Sequence, residues 1–244
     1  IPLQTEVCKS FLSTRMKKQA KFKEEEDSLI IIKFYRFFGI RIAERIKNLP
    51  ITPNQITTIS ILLGIIAAIM FVFGNYLFSI ISLVIIQISI LLDFADGPLA
   101  RRKQMTSILG KWIDYNGDLL MDQLILFFAA LGLFLQTNNN LVLIFGSAAI
   151  LTKSLLYNLN VGRVTFLKEP ENIPGGKFNF FRQFIPIRFF IHTLFLIAVL
   201  INKLLIFFIF ISFYQLLFFI AGLFYIGNKI KKIDKENKHG KEDN

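Results

Sequence analysis

The chain has 244 residues, 54% of them hydrophobic, with 28 Lys and Arg against 17 Asp and Glu and a mean hydropathy of +0.55. Its apolar residues are gathered into runs of about 18 or more, the length a bilayer-crossing helix needs, which excludes disorder, collagen-like repeats and an ordinary soluble domain in favour of a multi-span membrane protein. A lone Cys8 removes disulfide frameworks and thiolate clusters, and His192 and His239 cannot by themselves build a histidine zinc site, so any metal here is held mainly by oxygen.

Residues 1–27 are polar, mixed in charge and closed by Glu24, Glu25, Glu26 and Asp27, and read as an extension outside the membrane with no cleavable signal peptide. Ile1 in place of Met leaves room for a longer polypeptide. Across residues 28–48, Lys33, Arg36, Arg41, Glu44, Arg45 and Lys47 share one side of a helical wheel. Ile31, Tyr35, Phe38, Ile42 and Ile46 share the other, which predicts an amphipathic helix lying in the interface. Thr52-Pro53-Asn54-Gln55 is a strong helix start: Thr52 caps, Pro53 suits the first helical position and Gln55 completes a capping box.

The predicted architecture is all-α and polytopic, with six transmembrane helices in a membrane domain over residues 49–228. The spans fall at 52–73, 75–98, 106–135, 141–161, 184–201 and 204–226, and a basic tail follows over 229–244. Six spans put both termini on one side. Of the cations, Lys203 falls on the opposite face and Lys153 within a span. The rest lie with the termini, which makes that face cytoplasmic and its expected partners anionic lipids or phosphorylated substrates rather than nucleic acid.

Asp93, Asp96, Asp114, Asp118 and Asp122 lie in the second and third spans, where a carboxylate is unfavourable by several kcal/mol unless paired or metal-bound. The turn between these spans centres near Gln104, about ten residues from both Asp93 and Asp114, so at ~1.5 Å per residue the two stand at similar depth. Asp93 and Asp96 are i,i+3 and Asp114 and Asp118 are i,i+4, giving each helix two carboxylates on one face. Two divalent cations would neutralise these four groups. All-oxygen ligands favour Mg²⁺, Mn²⁺ or Ca²⁺, and a metal pair suits in-line displacement at phosphorus. Gly97 and Gly110 clear space for a ligand or a neighbouring backbone, and Arg101, one turn beyond Gly97, suits a diphosphate.

Asp93-x-x-Asp96-Gly97-x-x-Ala100-Arg101, eight residues, then Gly110-x-x-x-Asp114-x-x-x-Asp118 resembles the signature of the CDP-alcohol phosphotransferases, and Pro53-Asn54-x-x-Thr57 resembles the start of that family's first helix. The resemblance implies a six-helix membrane enzyme, usually a homodimer. Such an enzyme moves a substituted phosphoryl group from a CDP-linked donor to an alcohol and releases CMP in phospholipid synthesis. It further implies metal binding by Asp93, Asp96 and Asp114. Asp118 would also lie at the metal site and serve as base for the acceptor hydroxyl. Gly97, Ala100 and Arg101 would line the CDP site with Asp93, and Asn54 and Thr57 would lie near it.

On this reading Mg²⁺ or Mn²⁺ is the cofactor, CDP-diacylglycerol or CDP-archaeol the donor, and a phosphorylated polyol such as inositol phosphate or glycerol phosphate the acceptor. Lys153, Arg163, Arg182 and Arg188 are the candidate cations for an anionic acceptor, although Arg163 and Arg182 also fit plain loop charge. Asp122 either supports the site from one turn below Asp118 or pairs with another span, and His192 reads as a hydrogen-bonded residue of the bundle. The loop over 162–184 is long enough for a lid and equally suits an ordinary connection. A CDP-inositol donor is an alternative within the family. A divalent-cation transporter is the rival from another class, but it needs polar groups across the whole bilayer, and beyond Asp122 the outer half of the third span carries none that is charged.

Overall fold

The computed structural model describes residues 30–167 and 188–242. The extension over 1–27, most of the 162–184 loop and Arg182 lie outside the described residues. Among the described residues the elements are helical: α1 (Ile30–Ile46), α2 (Pro53–Met70) with a 3₁₀ turn (Phe71–Phe73), α3 (Tyr76–Arg102), α4 (Ile108–Thr137), α5 (Asn140–Leu167), α6 (Arg188–Leu200) and α7 (Leu204–Glu242). Counting the 3₁₀ turn with α2, the helices α2, α3, α4, α5 and α7 are long and apolar enough to cross a membrane, which makes the chain a polytopic all-α protein. The described part of α6 is apolar and shorter, and it begins four residues after the expected start of the fifth span.

Local chemistry sets the helix ends. The Gln55 amide donates to Thr52 Oγ1 at 3.3 Å and the Thr52 amide to Gln55 Oε1 at 2.8 Å, so the capping box is closed in both directions. Gly74 takes a left-handed φ of +62° in the turn after α2, and Asn75 caps α3 by accepting from the Leu77 amide at 2.8 Å. At the other end of α3, Gln104 is left-handed and Ser107 caps α4 by accepting from the Gly110 amide at 2.9 Å. Lys103 Nζ donates to the carbonyls of Leu49 and Ile51 at 2.6 and 2.8 Å, tying the α1–α2 loop to this corner.

Three helices run past their expected ends. α3 continues to Arg102 through Pro98, because the proline removes only one intrahelical donor, the one that would have met the Phe94 carbonyl. Gly39 of α1 sits against that carbonyl: a Cβ there would stand 2.5 Å from Phe94 O. α1 is therefore packed onto α3 and does not merely lie in the interface. Tyr35 donates to Gln87, and Arg102 donates to Glu44. Hydrogen bonds from Lys47 and Arg102 hold the Glu44 carboxyl below the usual carboxylate range. α5 extends to Leu167, and α7 runs through the predicted tail to Glu242, since no proline interrupts it and an anchored helix propagates at little further penalty.

The core between α2, α3, α4 and α5 is built on small residues, with Ala67, Ala68, Ala129, Ala130 and Ala149 buried beside Phe71, Phe195 and Phe208. In lipid, helices associate through close packing and hydrogen bonds rather than apolar burial, so small side chains decide how near the backbones come. Ser89 Oγ donates to the Ser60 carbonyl at 2.7 Å between α3 and α2, and Ser212 Oγ to the Phe145 carbonyl at 2.8 Å between α7 and α5. The tightest approach is at Gly132, where a Cβ would stand 1.8 Å from the Phe71 carbonyl oxygen. Gly132→Ala is expected to lower the melting temperature of the detergent-solubilised protein, with a destabilisation of about 1–3 kcal/mol or more. Gly227→Ala, where a Cβ meets nothing within 4 Å, should not lower it. Equal melting of Gly132→Ala and the parent would contradict this helix contact.

Candidate active site

α3 and α4 meet at the Lys103–Ser107 corner and run back antiparallel, which brings their carboxylates together. Asp93, Asp114 and Asp118 each offer an oxygen, and the three lie within 4.8 Å of one another. A set of three half-buried carboxylates with no His or Cys suits a hard divalent cation, which also offsets the repulsion among them. Asp96 lies one turn beyond Asp93, and its Oδ2 accepts from Thr57 Oγ1. Thr57 is buried, and its hydroxyl is also 3.2 Å from the Pro53 carbonyl, so α2 is pinned against the acidic end of α3.

The glycines do different work. A Cβ on Gly110 would stand 2.6 Å from Asn54 Oδ1, so Gly110 admits the Asn54 side chain from α2 against α4. Gly97 faces open space, with only Arg101 Nη1 within 4 Å of a Cβ there, which leaves room for a ligand beside Asp93 and Asp96. Ala100 is half-buried on the same stretch of α3, and Arg101 is exposed. A cleft of about 410 Å³ lined by Ile40, Pro98, Arg101 and Arg102 opens between α1 and the end of α3.

Asp122 has a larger part than sequence reasoning gave it. It is 6% exposed and binds side chains from two other helices. Oδ2 accepts from Lys153 Nζ of α5 at 2.8 Å, while Oδ1 accepts from Arg188 Nε at 3.2 Å and from His192 Nε2 at 2.8 Å, both of α6. Because an ionised carboxylate only accepts, His192 carries its proton on Nε2 in this contact. Arg188 Nη1 also pairs with Asp118, so one guanidinium joins the three-carboxylate cluster to Asp122. The sequence held only part of the signal: Asp122 continues the i,i+4 stripe of Asp114 and Asp118, and Arg188 and His192 are i,i+4 on their own helix, but neither spacing says which side chains meet.

Of the candidate acceptor cations, Lys153 and Arg188 thus share a carboxylate next to the cluster. Arg163 is buried ten residues further along α5, about 15 Å at the helical rise, where it donates to Asn160 Oδ1 at 2.7 Å. Gln123, beside Asp122, donates to Ser154 at 3.0 Å and Thr152 to Gln215 at 2.9 Å, so polar contacts flank the Lys153 position on both sides.

A family model described as CDP-alcohol phosphatidyltransferase matches residues 50–226. An archaetidylinositol phosphate synthase of Pyrococcus horikoshii is 38% identical over 92 residues, 38% of this chain and 47% of that protein. A bifunctional IPC transferase and DIPP synthase of Thermococcus kodakarensis is 37% identical over 94 residues, 36% of this chain and 20% of that protein. The match thus spans less than half the length of either curated relative. Among solved structures, the phosphatidylinositol phosphate synthase of Mycobacterium tuberculosis with CDP-DAG bound superposes with a TM-score of 0.64 at 14% identity, over 77% of this chain and 92% of that one. The same synthase in complex with manganese and citrate gives 0.61, also at 14% identity, over 77% and 88%. At that identity the likeness establishes a common fold.

Asp114→Asn is expected to weaken binding of Mn²⁺, followed by electron paramagnetic resonance of the purified protein, by at least about tenfold, the scale on which ligand-shell changes act. Unchanged Mn²⁺ affinity would remove Asp114 from the metal site.

Proposed function

This chain belongs to the CDP-alcohol phosphatidyltransferase family, and we propose that it transfers a substituted phosphoryl group from a CDP-linked lipid to a phosphorylated polyol, with release of CMP, in phospholipid synthesis. The donor is CDP-diacylglycerol or CDP-archaeol and the acceptor inositol phosphate in preference to glycerol phosphate. The observation that carries the reading is the juxtaposition of three carboxylates within 4.8 Å with the Lys153 and Arg188 cations one helical turn deeper. The first serves phosphoryl transfer, and the second matches an acceptor that brings its own negative charge. An inositol-phosphate-type acceptor is supported by the name of the archaeal synthase that shares 38% identity over 92 residues.

In this reading Asp93, Asp96, Asp114 and Asp118 hold a pair of divalent cations, Mg²⁺ or Mn²⁺, which supply charge compensation for the diphosphate. Asp118 accepts the proton of the acceptor hydroxyl. The freed oxygen forms a bond to the phosphorus that carries the lipid alcohol, and the bond from that phosphorus to the CMP oxygen breaks. Arg101, beside the open face of Gly97, meets the diphosphate, while Asn54, Thr57 and Ala100 line the nucleotide side. Lys153 and Arg188 hold the acceptor's phosphate, with Arg163 as a further cation along α5, while the candidate Arg182 lies outside the described residues. An anionic acceptor nearing an anionic diphosphate in a low-dielectric site otherwise meets strong repulsion.

The same reading has six spans, a homodimer, and a location in the cell membrane with the carboxylates and both termini towards the cytoplasm, as the asymmetry of Lys and Arg supports. A second reading, transfer from CDP-inositol to inositol phosphate, is favoured by the similarity to the bifunctional Thermococcus protein. Incubating the purified protein and Mn²⁺ with CDP-diacylglycerol, CDP-archaeol or CDP-inositol, each against labelled inositol phosphate, glycerol phosphate and free inositol, tests both. A labelled lipid product from inositol phosphate is expected, a water-soluble product marks the second reading, and absence of CMP release from every pair would sink them together. Asp118→Asn is expected to retain CDP-donor binding while turnover falls by about 10²–10⁴-fold, the usual contribution of a positioned base. Comparable turnover in the variant and the parent would assign Asp118 to structure.

A further inference from the structure

Resting on that acceptor reading, we infer that Asp122 is a positioning residue that sets the place of Arg188, and through it the affinity for the acceptor's phosphate. Arg188 carries a planar fork of donors on a flexible stem, and such a group binds an anion well only when its orientation is fixed in advance. Here Asp122 Oδ1 takes Nε at 3.2 Å. The guanidinium is thereby anchored by its inner nitrogen, and Nη1 is turned towards Asp118 of the cluster. Among the described residues the contacts of Arg188 with these carboxylates run through Nε and Nη1, and a guanidinium has five donors in all, more than these two contacts use.

Asp122 is itself held from two sides. Lys153 Nζ binds its other oxygen at 2.8 Å and His192 Nε2 shares Oδ1 at 2.8 Å, so the carboxylate cannot turn without losing both. The charge balance agrees. Asp122 faces two permanent cations, Lys153 and Arg188, and leaves a surplus positive charge within the membrane span once the other four aspartates are matched by two divalent cations. A phosphate group is the ligand that completes this balance. An Asp122 that served only to pair Lys153 would not need to reach α6 as well.

The test compares Asp122→Asn, Arg188→Gln and their combination in the purified full chain, with inositol phosphate as the varied acceptor and CDP-diacylglycerol or CDP-archaeol, whichever the donor panel selects, as the fixed donor. Asp122→Asn is expected to raise the acceptor KM at least tenfold with less than a twofold change in donor KM. The same substitution in the Arg188→Gln background should add less than twofold, because the residue acts through Arg188. An acceptor KM within twofold of the parent, equal rises in donor and acceptor KM, or an undiminished effect in the Arg188→Gln background would each overturn the assignment. If Asp122→Asn does not accumulate as folded protein, the comparison moves to a Lys153→Met background, where no uncompensated buried cation is created at that position, with the same thresholds. Should Arg188→Gln itself leave the acceptor KM unchanged, the acceptor reading of the previous section fails and this inference with it. An effect of Arg188→Gln without one of Asp122→Asn removes this inference alone.

Discussion

Five carboxylates in a low-dielectric slab must each find compensation, and the arrangement of this bundle follows from how they do so. Three of them crowd together where α3 and α4 converge, a geometry that is unfavourable for anions alone and favourable around cations. Asp96 is met by a hydroxyl from α2, and Asp122 by one cation from α5 and by a cation and an imidazole from α6. These groups draw α2, α5 and α6 around the α3–α4 pair, so the polar network organises the same helices that the apolar core packs. Removing one partner leaves a buried charge unmatched, which is more destabilising than the pair is stabilising.

Such a network tolerates little slack, and small residues provide the closeness it needs. Gly64 lies against Met121 and Gly117 against Ile61, along the same α2–α4 seam that carries Asn54 to Gly110, and next to it Thr57 of α2 reaches Asp96 of α3. Larger side chains on that seam would part the helices by more than a hydrogen bond can span. The glycines and alanines of α2 and α4 therefore act on the chemistry at a distance, by holding donors and acceptors within about 3 Å.

Much of this was legible in the sequence, for reasons that differ by element. The start of α2 was readable because Thr52, Pro53 and Gln55 act within a single turn. The carboxylate cluster was readable because helix periodicity and a short corner fix relative depth without further information. The packing of α1 on α3 was not, since it depends on Gly39 meeting the one carbonyl that Pro98 deprives of a donor, a coincidence between positions 55 residues apart. Nor was the sharing of Asp122 by Lys153, Arg188 and His192. Each of those side chains invites a partner, but sequence distance gives no preference among five nearby aspartates. The continuation of α7 past its apolar part escaped a reading based on hydropathy, because hydropathy marks where a helix leaves lipid and not where it ends.

The attachment of α1 has a consequence for how the molecule sits in its bilayer. Gly39 against Phe94, Arg102 with Glu44, and Lys103 with the carbonyls of Leu49 and Ile51 tie α1 to the corner of α3 and α4. α1 also exposes Phe34, Phe37 and Phe38, with the Arg41 guanidinium over the Phe37 ring. A helix of that kind floats where its rings enter hydrocarbon and its cations meet headgroups. Through α1 the waterline of the membrane becomes a depth gauge for the carboxylates. On the proposed reading the lipid donor hangs from the same waterline by its tails, so both are levelled along the bilayer normal before any contact between them forms, and only the search in the plane remains.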